Sequence, residues 1–203
     1  MNTDKQTHWD TIYETKSPEE VSWTEKVPAI SLNLINQLQV PKNAAIIDVG
    51  GGDSNLVDFL LEAGYTNLTV LDISANALTR AKNRLGEKAK QVKWIIADIL
   101  DFKPSEHYEV WHDRAAFHFL TQPQEVETYV NIVSTFVKGH LILGTFAVNG
   151  PLKCSGLPIT QYSPELMKPV FEHSFNLKGC INHNHTTPFG TEQNFLFCTF
   201  NKK

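Results

Sequence analysis

Titratable and aromatic side chains are densest between residues 111 and 119, in the run WHDRAAFHF, which begins inside an apolar segment. A histidine can take or give a proton near neutral pH, and a carboxylate can hold a cationic partner. Side chains of this kind at a strand end are often functional. We therefore expect His112, Asp113 and His118 to act in catalysis, with Arg114 or His118 against the substrate. A structural ion pair of Asp113 with Arg114, and a core position for His118, is the alternative.

Three consecutive glycines form a second chemical feature. Gly50, Gly51 and Gly52 end the apolar run AAIIDV of residues 44–49, and residues 56–61 then carry apolar side chains at helical spacing. This order predicts a strand, a tight turn and a helix. Because glycine lacks a Cβ atom, the turn can bend sharply and let a ligand approach the backbone. Taken alone, such a turn is equally compatible with an ordinary loop.

Acidic residues stand at the ends of the next two predicted strands. Asp72 ends the run LTVLD, 24 positions after Asp48, and Asp98 follows the run VKWIIA. An acid at the end of the second strand hydrogen-bonds a ribose diol in this architecture, because its two oxygens accept from neighbouring hydroxyls. Asp98 can accept from an adenine amine, with Ile73 and Ile99 on either side of the ring. Each acid alone could be a strand-end cap, but three features on successive strands favour one adenosine site.

The residues after the glycine turn distinguish two kinds of adenosine ligand. A dinucleotide site needs a third glycine at position 55, where this chain has Asn55. Asp53 also places a negative charge where a pyrophosphate would meet the start of the helix. Asp48 and Asp53 instead attract a ligand that carries an ammonium and a sulfonium group. A nicotinamide-dependent enzyme is therefore a remote alternative.

The elements that must position these residues alternate along the chain. Short connections between strands and helices imply right-handed crossovers and a mostly parallel sheet covered on both faces, which is an α/β, doubly wound class. The final two strands have no helix between them and should be antiparallel. The seven predicted strands are residues 44–49, 68–72, 92–97, 108–111, 141–146, 175–185 and 194–200.

Together these motifs resemble class I S-adenosylmethionine-dependent methyltransferases, with the glycine motif at residues 46–52, the ribose acid in LDIS at 71–74 and the adenine acid in ADI at 97–99. The resemblance implies a seven-stranded Rossmann-like sheet and S-adenosyl-L-methionine as cofactor. One departure is Ser54, which stands in the last glycine position of the family motif. The residues implied to bind the cofactor are Trp23, Asp48, Gly50, Gly51, Gly52, Asp53, Asp72, Ile73, Asp98, Ile99 and Asp113.

The start of the chain is similar to one part of that family. His8, Trp9, Asp10, Tyr13 and Trp23 are similar to small-molecule methyltransferases of the thiopurine, tellurite and trans-aconitate kind, and also to a branch that modifies protein lysines. Aromatic faces can hold a sulfonium by a cation–π contact. We expect one domain over residues 1–203, in which residues 1–43 form a helical extension or lid and residues 44–203 the Rossmann-like core.

Charge and hydropathy limit the partners. The net charge of −4 and the pI near 6.0 argue against a nucleic-acid partner, and no apolar stretch approaches the roughly 18 residues of a membrane helix. We expect a cytoplasmic protein. Cys154, Cys180 and Cys198 are widely spaced, which predicts free thiols and no metal site. His183 and His185 could share one face of a strand, but the sequence offers no third metal ligand.

Beside the nicotinamide-dependent enzyme, three functions that involve S-adenosylmethionine remain open on sequence alone. The leading hypothesis is an enzyme that methylates a small acceptor, such as a thiol, a selenium or tellurium compound, or a carboxylate. A protein lysine N-methyltransferase is the alternative, because nothing in the charge pattern excludes it. A noncatalytic module that senses the cofactor is the remote alternative.

Overall fold

A seven-stranded sheet forms the centre of the structure, a computed structural model that describes residues 3–203. The strands of the chain are β1 (Ile46–Val49), β2 (Leu68–Asp72), β3 (Val92–Ile96), β4 (Tyr108–Arg114), β5 (Val137–Phe146), β6 (Lys153–Cys154), β7 (Leu157–Pro158), β8 (Phe175–Thr186) and β9 (Glu192–Lys202). The main sheet has the order β3-β2-β1-β4-β5-β9-β8, and β6 and β7 form a separate two-stranded ribbon. The seven strands of the main sheet were predicted from the sequence, whereas no strand was predicted at the ribbon.

Strand direction in the main sheet confirms the α/β class. Strands β1 to β5 are parallel to their neighbours, whereas β9 is antiparallel to both β5 and β8. The short connection from β8 to β9 leaves no length for a crossover, which forces the antiparallel pairing. Strand β1 lies between β2 and β4, so the connection after β1 leads to one side of the sheet and the connection after β4 leads to the other. Ligands of open parallel sheets bind at such a point.

Six helices flank the sheet: α1 (Thr3–Thr15), α2 (Ala29–Gln37), α3 (Leu56–Glu62), α4 (Ala75–Leu85), α5 (Pro123–Phe136) and α6 (Pro164–Phe171). In the sequence, Ser74 and Ser163 each stand directly before a helical pattern and are predicted to cap it. In the structure they cap α4 and α6, each accepting a hydrogen bond from a backbone N–H. Before α5, the spacing of Thr121 and Gln124 predicts a capping box. The box consists instead of Gln122 and Glu125, so the prediction was wrong by one residue, because Pro123 occupies the first helical position and fixes the cap before it.

Alternation along the strands divides the core into two layers. Ile47, Trp111 and Leu141 point to the layer that contains α5 and α6, whereas Ile46 and Val110 point to the layer that contains α2, α3 and α4. Successive strand residues face opposite sides of a sheet, and burying each of these large side chains contributes about 1.5–3 kcal/mol. The same alternation decides which polar residues at the strand ends can meet.

The cysteines correct one expectation. Cys180 and Cys198 form a disulfide between β8 and β9, so the prediction of three free thiols was wrong for these two. They lie directly opposite each other in the antiparallel register, although 18 positions separate them in sequence. Spacing alone does not reveal such a register, because it depends on how the two strands pair. Cys154 is a free, buried thiol.

Within residues 3–203, every helix is too short or too polar to cross a bilayer.

Candidate active site

A cavity of about 610 Å³ opens at the carboxyl ends of β1 to β4, beneath α1 and residues 16–28. The structure brings most of the predicted site residues to this cavity. Those that line it are Trp23, Asp48, Gly50, Gly51, Asp53, Asp72, Ile73, Asp98, Ile99 and His112. Three predicted residues do not line it, namely Gly52, Asp113 and His118, although Gly52 lies directly beside it.

Neighbouring side chains lie close to each of the three glycines of the turn. Gly50 and Gly52 have φ angles of +65° and +52°, a region that residues with a Cβ rarely adopt. A Cβ atom on Gly52 would lie 2.6 Å from the hydroxyl of Tyr13, and one on Gly51 would lie 2.7 Å from Oδ2 of Asp48. The turn therefore requires glycine for its conformation and for the approach of its neighbours.

The carboxyl group of Asp72 lies at the end of β2 and is only 6% exposed. It accepts a hydrogen bond from the Ser74 N–H at 2.7 Å. Burial raises the pKa of Asp72 to about 7, and the nearby charges of Asp53 and Asp48 act in the same direction. The protein thus buries the Asp72 carboxylate with few nearby groups that offset its negative charge.

Two further acids complete this side of the cavity. Asp98, after β3, accepts a hydrogen bond from the Leu100 N–H at 3.0 Å and is 7% exposed. Asp53 lies 3.6 Å from the Arg80 guanidinium, yet burial still raises the pKa of its carboxyl group. The cavity beside β2 and β3 is therefore strongly acidic, as the sequence predicted.

His112 belongs to a buried chain of three polar side chains. Its Nδ1 lies 2.7 Å from Asp48 Oδ1, and its Nε2 lies 2.8 Å from Ser31 Oγ. His112 and Asp48 pair across β4 and β1 and point to the layer that contains α2, which carries Ser31. Both ring nitrogens are thus occupied. Ser31 gave no signal in the sequence, because it lies within an ordinary helical pattern.

Asp113 points to the opposite face of the sheet. Its Oδ1 accepts from the Ala116 and Phe117 N–H groups at 2.9 and 3.0 Å, and its Oδ2 accepts from the Tyr129 hydroxyl at 2.7 Å. Burial raises its pKa to about 6. Because the side chain is fully buried and fully hydrogen-bonded, it holds the turn after β4 in place against Gly50. The contact with the cofactor expected for Asp113 is absent from this geometry.

His118 is fully buried outside the cavity. Its Nδ1 accepts a hydrogen bond from the Phe146 N–H at 3.3 Å, and burial together with the Arg114 charge lowers its pKa to about 3. A histidine with this pKa is neutral near pH 7. The position matches the core alternative raised for His118 rather than the catalytic one.

Arg114 lies at the end of β4, one residue beyond the pair formed by Val49 and Asp113. Its Nη1 donates to the Trp23 carbonyl at 3.0 Å, and its Nε lies 3.4 Å from Glu25 Oε2. The side chain is 15% exposed and lines the cavity. Glu25 comes from the N-terminal extension, and the sequence analysis did not identify it as a site residue.

The segment that carries Trp23 and Glu25 is fastened by the C-terminal hairpin. His185 of β8 donates from Nε2 to the Ser22 carbonyl at 2.7 Å, and its Nδ1 lies 3.6 Å from Glu25 Oε1. Neither His183 nor His185 lines the cavity. Across residues 3–203, no group of three His, Cys, Asp or Glu side chains is arranged to hold a metal ion.

Helix α1 roofs the cavity and is fixed on both sides. Asp10 Oδ1 accepts from Ser74 Oγ at 2.7 Å and from the Asn76 N–H at 3.3 Å, which ties α1 to the start of α4. Lys5 pairs with Glu125 at 2.9 Å, which ties α1 to the start of α5. The helix therefore spans the mouth of the cavity.

Comparisons with known proteins agree with this architecture. Residues 46–139 match the family model described as a methyltransferase domain. No curated protein matches the sequence. Two solved structures with the same fold are a methyltransferase from Anabaena variabilis (TM-score 0.75, 14% identity, 100% of this chain and 96% of that chain) and a 1,6-didemethyltoxoflavin-N1-methyltransferase from Burkholderia thailandensis (TM-score 0.72, 15% identity, 99% and 88%).

A third similar structure is a magnesium protoporphyrin IX methyltransferase from Synechocystis, with a TM-score of 0.68 and 15% identity over 100% of this chain and 95% of that chain. At these identities the solved structures establish the fold alone, while the family model covers the glycine turn, Asp72 and Asp98. Residues 46–139 thus form a methyltransferase domain in a fold shared with S-adenosylmethionine-dependent methyltransferases, and the chain is a methyltransferase with S-adenosylmethionine as its methyl donor.

Proposed function

We propose that this methyltransferase acts on a small-molecule acceptor. The observation that supports the proposal is the roof over the cavity beside β4. Trp9 packs edge to face against Trp23 and Phe119, with ring centroids 5.8 and 5.3 Å apart. A side chain of a folded protein would need a channel through this roof, whereas a small molecule fits beneath it. The cavity volume of about 610 Å³ is in the range of small-molecule sites.

We assign the cofactor to the acidic side of the cavity. The fit rests on a turn without Cβ atoms at Gly50 and Gly51, and on two carboxylates, Asp72 for the ribose hydroxyls and Asp98 for the adenine amine. Ile73 and Ile99 supply apolar walls for the ring. When bound, S-adenosylmethionine supplies an activated methyl group on a positively charged sulfur.

The protein contributes position and exclusion of water. The Ser31–His112–Asp48 chain fixes the carboxylate of Asp48 beside Gly51, where it attracts the cationic end of the cofactor. The aromatic roof removes water from the acceptor side. Because methyl transfer is a direct displacement, orienting two reactants in a dry site supplies most of the rate. His112 serves as a positioning residue, since both of its ring nitrogens are engaged.

The experiment that tests this proposal is methyl transfer from labelled S-adenosylmethionine in a cell lysate, separated into small molecules and proteins. We expect label in the small-molecule fraction. Label that appears only in a protein band would contradict the proposal and support lysine methylation. A protein that binds S-adenosylhomocysteine but labels neither fraction would support the cofactor-sensing alternative.

A further inference from the structure

We propose that the acceptor is a small organic acid, whose carboxylate is bound by Arg114 and methylated to a methyl ester. This inference rests on the proposed small-molecule function and names its substrate class. Two observations support it. Within the described part of the chain, the Arg114 guanidinium has N–H groups without hydrogen-bond partners, and no free histidine, thiolate or phenolate lies beside it.

The position of Arg114 separates it from the cofactor's adenosine side. Asp72 and Asp98 follow β2 and β3, on one side of β1, while Arg114 ends β4, on the other side. Ala115, with φ +67°, turns the chain directly after Arg114 and brings the Ala116 Cβ against Gly50. The Arg114 side chain lines the cavity on the β4 side, with its guanidinium beside the Trp23 carbonyl, Glu25 and the Phe195 ring. This position lies across β1 from Asp72 and Asp98, the acids that we assign to the ribose and the adenine.

The hydrogen bonds of Arg114 are incomplete. One N–H of Nη1 reaches the Trp23 carbonyl, and Nε faces Glu25 at 3.4 Å without a hydrogen bond. Nη2 forms no hydrogen bond among residues 3–203, although the Phe195 ring lies 5.0 Å from the Cζ of the guanidinium. The face formed by Nη1 and Nη2 is thus available to a ligand, and a guanidinium binds a carboxylate through two parallel hydrogen bonds.

Glu25 does not neutralise this cation by itself. It also faces His185, and although burial acts to raise the pKa of Glu25, the His185 ring and then the Arg114 guanidinium lower it. Two basic side chains therefore share this carboxylate. Asp48 also acts on the Arg114 charge, but forms no ion pair with it. A carboxylate supplied by the acceptor gives Arg114 a direct, two-pronged partner.

The buried titratable groups on this side of the cavity offer no free base, within the part of the chain that the structure describes. His112 has both nitrogens engaged, and Glu25 is paired. Burial raises the pKa of Cys154 to about 12 and holds the pKa of Tyr13 well above its usual range, so both keep their protons. An acceptor that must lose a proton during transfer finds no free histidine, thiolate or phenolate here, whereas a carboxylate reacts already ionised.

The chemical step balances without proton transfer. A lone pair of the acceptor carboxylate oxygen forms a bond to the methyl carbon, the carbon–sulfur bond breaks, and its electron pair stays on sulfur. A cation and an anion become a neutral methyl ester and a thioether. Arg114 binds the reacting group directly, which makes it a catalytic residue under this proposal.

The test uses labelled S-adenosylmethionine with the acidic, neutral and basic small-molecule fractions of a cell extract. We expect acceptor activity in the acidic fraction, and label that becomes volatile after mild alkali, because methyl esters release methanol. Blocking carboxyl groups with a carbodiimide and ethanolamine should remove the activity. Label in the neutral or basic fraction, or label stable to alkali, would overturn the ester proposal and leave the small-molecule function standing. Label only in protein would overturn both.

Variants of Arg114 provide the second arm. We expect Arg114→Gln to lower kcat/KM for the acidic fraction about 100-fold and Arg114→Lys about tenfold, because lysine keeps the charge but loses the two-pronged geometry. Glu25→Gln should lower KM, since it removes the competing carboxylate. Lys88→Gln, which removes an exposed positive charge in the 86–91 turn, is the matched control and should be neutral.

A binding measurement tests whether Arg114 binds the acceptor or the cofactor. Calorimetry with S-adenosylhomocysteine should give the same affinity, within about twofold, for wild type and Arg114→Gln. Equal losses of cofactor affinity and of activity would assign the guanidinium to the methionine carboxylate and overturn the proposal. The fractionation result on the wild-type protein stands even if a variant fails to fold.

Discussion

At the scale of single residues, Asp72 carries a conflict between stability and binding. Its pKa of about 7 lies above the value near 3.9 of an unfolded chain. Between these two values the folded protein holds a proton that the unfolded chain has lost, so stability falls as pH rises from about 4 to about 7. At pH 8 the folded protein bears the full cost of the buried charge.

We predict that Asp72→Asn raises the free energy of unfolding of the cofactor-free protein at pH 8 by on the order of 1–3 kcal/mol, and changes it little at pH 4. The same substitution should weaken S-adenosylhomocysteine binding, because an amide nitrogen cannot accept from a ribose hydroxyl. Urea unfolding at the two pH values and calorimetry check both signs. Equal destabilisation at both pH values would contradict this account of Asp72.

The glycines allow a matched comparison at the same scale. Gly52 and Gly64 both have positive φ, at +52° and +86°, but a Cβ on Gly52 meets Tyr13 whereas one on Gly64 meets nothing within 4 Å. We predict that Gly52→Ala lowers cofactor affinity at least tenfold, while Gly64→Ala costs some stability and leaves affinity unchanged. Calorimetry with S-adenosylhomocysteine measures the difference. Similar affinity losses in both variants would mean that backbone strain alone matters.

At the scale of elements, α1 covers the cavity and is held in place by a small number of side-chain contacts. Asp10 supplies the acceptor for Ser74 Oγ and the Asn76 N–H. We predict that Asp10→Ala increases the dissociation rate of S-adenosylhomocysteine about tenfold, with stopped-flow tryptophan fluorescence as the measurement. Glu14→Ala removes an exposed acid from the same helix and serves as control. A rate unchanged by Asp10→Ala would show that α1 does not limit release.

The disulfide joins β8 to β9, and its two cysteines are separated by 18 positions in sequence. We predict that reduction lowers the free energy of unfolding by about 2–4 kcal/mol, since the bond restricts the unfolded chain. Thermal unfolding with and without dithiothreitol measures this change. Cys180→Ser should have the lower stability already and should not respond to the reductant. A response in that variant would point to a different effect of the reductant.

Sequence patterns predicted some of these elements and missed others. Apolar runs located the strands because buried parallel strands have few polar residues, and Ser163 located α6 because cap chemistry is local. The β6–β7 ribbon was missed because it has only two residues per strand. In the site, Asp72 and Asp98 were predicted because they stand at the ends of apolar runs. Glu25 and Ser31 were not, because their proximity to Arg114 and His112 arises from tertiary packing.

At the scale of the whole molecule, the N-terminal extension packs against the rest of the fold, so we expect the two to unfold together. Trp9 and Trp23 lie in the extension, whereas Trp94 and Trp111 lie on strands. We predict that both pairs report the same urea midpoint, each pair being measured in a variant in which the other is replaced by phenylalanine and compared with far-ultraviolet circular dichroism. A lower midpoint for Trp9 and Trp23 would mean that the extension unfolds independently.

The sheet order has a consequence for the biosynthesis of the protein. Strand β9 leaves the ribosome after β1 to β8, yet it occupies an interior position between β5 and β8. The strands that carry the glycine turn and its acids emerge long before it. Strand β8, which also emerges late, carries His185, and His185 holds the segment with Trp23 and Glu25. A nascent chain therefore completes the strands of its proposed cofactor site first and fixes the wall proposed for the acceptor only after β8 has emerged.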